Sequence, residues 1–218
     1  MRYLNSILTV ILVAGLFFQC YSQKKEEEEV YDYTFQQVMI TDPPVAFILD
    51  RELKETSGLI FWRDALWTHN DSGNDPMIYK VDTSSGEITQ RIRLEGAENV
   101  DWEDITQDEK FIYVGDFGNN KGSRKDLKLY RVNKERIPPT GDAGVRPEVI
   151  RFHFSDQETF EEQNRTNNYD CESVVALGRH LYLFSKNWIN EYTRLYKLPK
   201  EPGSYEADYQ ETFKADGL

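Results

Sequence analysis

Glu55-Thr56-Ser57-Gly58-Leu59, Asp101-Trp102-Glu103-Asp104-Ile105 and Asp170-Cys171-Glu172-Ser173-Val174 align without a gap. Each reads acid, any residue, Glu or Ser, a small or acidic residue, then an aliphatic. An aromatic follows eight residues after each aliphatic: Trp67, Tyr113 and Tyr182. A second match lies downstream in every unit, at Ile78-Tyr79-Lys80-Val81, Leu129-Tyr130-Arg131-Val132 and Leu195-Tyr196-Lys197-Leu198. All three read aliphatic, Tyr, basic, aliphatic. Short runs rich in aromatic and branched residues, repeated with fixed spacing, are the mark of a repeat architecture built from strands.

A fourth strand is expected at Ile88–Leu94 and at Val149–Phe154, where apolar and polar residues partly alternate. Turn chemistry separates the strands at Thr83-Ser84-Ser85-Gly86, Gly141-Asp142 and Pro202-Gly203. No sustained helical period follows the N-terminal segment. The fold class read from this is all-β, made of four-stranded antiparallel propeller blades, with about three blades of an expected six in residues 49–218. A sandwich with coincidental internal similarity is the alternative. Insertions at Gly118–Asp126 and Ile137–Pro147 lengthen the second unit. Three blades leave two faces open, and the sequence stops at Ala215-Asp216-Gly217-Leu218 without a capping strand. The expectation is a truncated chain whose remaining blades are the natural partners of those faces.

Residues 1–22 read as a signal peptide: a positive start at Arg2, an apolar run from Ile7 to Phe18, and small residues at Cys20 and Ser22 before Gln23. Cys20 is also where a lipid anchor would attach, but Phe17-Phe18-Gln19 matches a lipobox poorly. The expected location is therefore periplasmic or extracellular. Residues 23–48 form an acidic linker, opened by KKEEEE, and a lead-in strand. Once the signal is removed Cys171 has no partner for an intramolecular disulfide. The apolar run of the signal is too short to cross a bilayer comfortably, and nothing later is long enough.

The 218 residues carry a formal net charge of −12, with 39% hydrophobic and 13% aromatic residues. Nucleic acid and anionic lipid both require a basic footprint, so neither is an expected partner. A small molecule or a protein is.

Glu55-x-Ser57-Gly58-Leu59, Leu66-Trp67-Thr68-His69-Asn70-Asp71-Ser72-Gly73, Asp101-Trp102-Glu103-Asp104-Ile105 and Gly115-Asp116-Phe117-Gly118-Asn119-Asn120 resemble secreted bacterial six-bladed propellers of the TolB-like and NHL-like group. The resemblance covers about Leu53 to Leu218. It implies architecture far more than activity, because that group includes lactonases, esterases, phytases and pure binding modules.

If the first strand of each unit lines a central channel, Glu55, Asp101 and Asp170 stand at equivalent positions there, with Glu103 and Glu172 two residues on. The ends of the second strands add Asn70, Asp71 and Asp116. Carboxylate and amide oxygens are the ligands of a hard cation. Calcium in the channel is what the resemblance implies. The structural alternative is that these acids accept hydrogen bonds from turn amides and join one blade to the next. Lys186-Asn187 stands in the third unit where Asn70-Asp71 stands in the first, and offers an internal counter-charge. His69 is the candidate general base if the site hydrolyses an ester, lactone or phosphate ester; a hydrogen-bonded structural role is the alternative. Asp71-Ser72-Gly73-Asn74-Asp75 lacks the Glu and flanking helices of an EF-hand. No nucleophile elbow, P-loop or dinucleotide motif is present. The expected function is an extracytoplasmic binding scaffold, with a calcium-dependent hydrolase as the alternative.

Overall fold

The computed structural model describes residues 45–214. The expected signal peptide, Cys20, most of the acidic linker and residues 215–218 lie outside them. The described end of the lead-in segment, residues 45–50, runs without strand pairing. Among the described residues, regular structure consists of thirteen strands and a single 3-10 turn at Lys134–Arg136. The chain is thus all-β, and among the described residues no helix is long and apolar enough to cross a membrane.

The strands form three antiparallel meanders in chain order. The first holds β1 (Thr56–Trp62), β2 (Ala65–Asn70), β3 (Met77–Val81) and β4 (Ile88–Leu94). The second holds β5 (Trp102–Gln107), β6 (Phe111–Asp116), β7 (Lys128–Asn133) and β9 (Glu148–Phe154), with the short β8 (Ala143–Val145) inserted before its last strand. The third holds β10 (Asp170–Leu177), β11 (His180–Lys186), β12 (Thr193–Pro199) and β13 (Gly203–Phe213). Local chemistry closes the hairpins. Arg63 and Asp64 both adopt positive φ, 51° and 56°, which gives the tight two-residue turn that matches strand twist. Asp82 accepts from the backbone of Ser84 and Ser85, each at 2.9 Å, and Gly86 completes that turn at φ 77°.

The meanders pack face on face. Ile60, Trp67, Ile78 and Ile92 of the first meet Trp102, Ile105, Ile112 and Val114 of the second. Tyr113, Leu129, Ile150 and Phe152 of the second meet Val174, Leu183, Tyr196 and Leu198 of the third. Each such side chain taken from water contributes about 1.5–3 kcal/mol. The aliphatics Leu59, Ile105 and Val174 share one face of the repeat; Ile105 and Val174 are covered by the preceding meander, whereas Leu59 is 58% exposed.

The first strands β1, β5 and β10 lie side by side, bonded through side chains. Ser57 Oγ donates to the Glu103 carbonyl. Asp104 Oδ2 accepts from Ser173 Oγ and from the Val174 backbone N–H, both at 2.8 Å. At the outer edges the meanders are joined by parallel pairs: β8 runs along β4, and Gly203–Ala207 of β13 runs along β9. The second and third meanders therefore share one eight-stranded sheet, ordered β10-β11-β12-β13-β9-β7-β6-β5, whose two end strands lie against each other so that it nearly closes like a barrel.

Candidate metal centre

The carboxylates of Asp71, Asp101 and Glu103 come together, with one oxygen of each lying within 4.8 Å of the others. Asp71 directly follows β2, Asp101 directly precedes β5, and Glu103 is the extra residue of a bulge in β5 between Trp102 and Asp104. A bulge re-aims a side chain, so Asp101 and Glu103 meet through it and not through plain strand alternation. All three side chains are half-buried.

Burial pushes the Glu103 carboxyl up to about 9, helped by Glu172, Asp101, Asp71 and Asp170. Burial likewise raises Asp101 to about 6, with Asp71 adding to it and Arg124 opposing it. A carboxyl that shifts this far binds a proton for want of a counter-charge. Gly118 forms the floor. Its N–H and that of Phe117 both donate to the Asp101 carbonyl at 3.1 Å. A Cβ at Gly118 would overlap Glu103 Oε1 and Asp101 Oδ2, so a residue without one leaves those oxygens their positions. The cation nearest in charge terms, Arg124, is committed elsewhere: it donates to Asp116 Oδ1 at 2.8 Å, the Gly118 carbonyl at 2.9 Å and Asp126 Oδ1 at 3.1 Å.

The other acids singled out by the repeat have different environments. Asp116 is fully buried between Arg124 and Lys128, and also accepts from the Asp101 N–H at 3.1 Å. Asp170 is fully buried and accepts from the Asn119 N–H, Asn120 Nδ2 and Trp188 Nε1 at 2.7, 2.7 and 2.8 Å. Three donors satisfy that carboxylate as a structural joint. Glu172 is the bulge residue of β10, as Glu103 is of β5. Burial and the neighbouring Asp170 raise its carboxyl, while Lys186 at 3.4 Å opposes them. Lys186 thus provides the counter-charge expected at that position of the third unit. Glu55 is exposed, at φ 49°, and its carbonyl accepts from the Asp71 N–H. Asn70 is bound to the segment before β1: it donates to the Glu52 carbonyl and accepts from the Lys54 N–H, both at 3.0 Å.

His69 is completely buried. Its Nδ1 lies 3.0 Å from the Asn70 carbonyl, and its ring stands edge-on to Trp102 at 5.6 Å between centroids. Burial lowers its pKa, so it is a neutral core residue at neutral pH. Cys171 is buried and free, and burial, with Asp170 and Glu172, raises its thiol. Gly118 and Arg124 are functional neighbours that the repeat does not reveal, since both lie in the second unit's insertion. The Gly115-Asp116-Phe117-Gly118 stretch is a signal for Gly118; Arg124, between Lys121 and Lys125 in a basic run, has none of its own.

What the arrangement can do is hold a hard cation. Three carboxyl groups converge, two of them are destabilised as anions while Arg124 is committed elsewhere, and Gly118 leaves room for their oxygens. No protein-family model matches the chain, and no curated protein matches it.

Proposed function

We propose that this chain is an exported propeller-type binding module, related to the TolB-like and NHL-like group, whose Asp71-Asp101-Glu103 cluster binds calcium at the inner strands. The observation that carries the reading is the convergence of those three carboxylates over Gly118. The three meanders, with β1, β5 and β10 side by side, are compatible with three blades of a propeller. Calcium takes six to eight oxygen ligands. Three carboxylates leave coordination positions open to water or to a ligand's own oxygens, which suits a binding module for an oxygen-rich small molecule or an acidic peptide. The hydrolase alternative needs a proton-transfer group at the ion, and the buried ring of His69 does not favour it.

The test is thermal unfolding with calcium and with EDTA. Affinity in the range of extracellular modules, on the order of 10⁻⁴–10⁻³ M, is expected. Saturating calcium at about a hundredfold excess over Kd then adds about 2.7 kcal/mol. Gly118→Ala should remove most of that gain. A melting temperature indifferent to both calcium and EDTA would sink the proposal.

A further inference from the structure

Two strand additions occur in this molecule with one register. β8 lies parallel along β4, with Ala143 beside Ile92 and Val145 beside Leu94. Gly203–Ala207 lies parallel along β9, with Gly203 beside Ile150. Ile92 pairs with Ile78, and Ile150 pairs with Leu129. Ile78 and Leu129 are equivalent in the repeat, so both added strands begin at the same place. Each closes on a bond of the same kind, three residues past Ile92 in one and five past Ile150 in the other: Glu95 N–H to the Val145 carbonyl at 3.0 Å, and Ser155 N–H to the Ala207 carbonyl at 3.1 Å. In each case the added strand comes from the residues just ahead of the stretch that pairs as the outermost strand within the next meander: β8 precedes β9, and Gly203–Ala207 precedes the part of β13 that pairs with β12.

The third meander has the matching position. Leu195, the equivalent of Ile78 and Leu129, pairs with Glu211. Among the described residues no strand pairs with the far edge of Glu211–Phe213. An open edge is a template for another strand. The face beside it is also uncovered. Ile60 and Trp67 in the first meander are buried under the second. Their equivalents in the third are Val175, which is 45% exposed, and the half-buried Tyr182; Leu177 beside them is 40% exposed. The positions have stayed apolar where solvent would favour charge.

We infer that the Glu211–Phe213 edge, with the Val175, Leu177 and Tyr182 face, is a docking site for a further four-stranded β unit of this repeat. That unit lays the short strand ahead of its own outer strand parallel to Glu211–Phe213, placing a small residue opposite Glu211, as Ala143 and Gly203 stand opposite Ile92 and Ile150. Among its described residues a second copy of the chain does not offer this strand. Its Ala143–Val145 and Gly203–Ala207 are already paired, and β3 and β4 of its first meander are joined by the tight Asp82 turn. The inference rests on strand register and stands or falls apart from the cation site.

The test extends the full chain with a second copy of residues 101–214 after Leu218 and follows amide hydrogen exchange. In the unextended chain, Glu211–Phe213 should exchange as an open edge. In the extended chain, their exchange should slow on the order of a hundredfold. Val145→Pro in the appended copy alone should abolish that slowing, because the Val145 carbonyl and N–H face the neighbouring strand and proline removes that donor. A folded extension that leaves Glu211–Phe213 unprotected overturns the inference. So does protection that grows with the concentration of the unextended chain, since it assigns the edge to a second copy. Should the extension fail to fold, a peptide of residues 139–147 added to the full chain is the second measurement. Slowing confined to Glu211–Phe213 supports the inference; none overturns it.

Discussion

Glu103 shows how much one bulge can do. As the extra residue of β5 it faces Asp71 and Asp101, and burial with those neighbours raises its carboxyl from 4.5 to about 9. The folded chain therefore holds a proton that the unfolded chain releases in that window. The stabilisation is complete below the unfolded value of about 4.5 and is lost as pH rises to about 9. In EDTA, the melting temperature should fall across that range. Glu103→Gln keeps the shape without the charge. It should flatten the slope and raise the melting temperature near pH 9, by about 2–4 °C for each kcal/mol recovered. An unchanged pH slope in the variant would count against the assignment. The acids were legible as a repeat at Asp101 and Glu103. Asp71 was placed beside them at the end of the second strand. Which acids join the cluster and which keep to their own donors, as Asp116 does with Arg124 and Lys128, was not legible, because a bulge and a buried Arg124 leave no periodic trace.

At the scale of elements, Asp104 joins β5 to β10. Its carboxylate accepts from the Ile105 N–H on its own strand and from Ser173 Oγ and the Val174 N–H on the next. Asp104→Ala leaves the Val174 donor without its acceptor in a half-buried seam, at a cost of about 1–3 kcal/mol. Urea unfolding should show it as a lowered midpoint; a variant within experimental error of the parent would show that the seam is held by apolar packing alone. The strands themselves were largely readable. β4 occupies Ile88–Leu94 as expected, and β3, β7 and β12 each contain the aliphatic-Tyr-basic-aliphatic run. β8 and the start of β13 were not readable. They are short, rich in Gly and Ala, and find their partners about fifty residues away, so nothing local announces them.

For the molecule as a whole, the joints between meanders are unequal. The first and second share a three-residue outer pair, while the second and third share five paired positions and one unbroken strand. β13 pairs with β9 along its first half and with β12 along its second. Native-state hydrogen exchange should therefore rank β3 and β4 as less protected than β7, β9 and β12. Equal protection throughout would mean that the apolar seams alone set cooperativity.

The continuity of β13 also gives the molecule a mechanical polarity. Under a force applied between residues 45 and 214, β8 presents few bonds to shear, and the first meander should peel away as a separate event. The remaining two are sewn together by a single strand that cannot leave one without leaving the other. They should give way in one step, at higher force, so that a pulling trace reads as one small rip followed by one large rip.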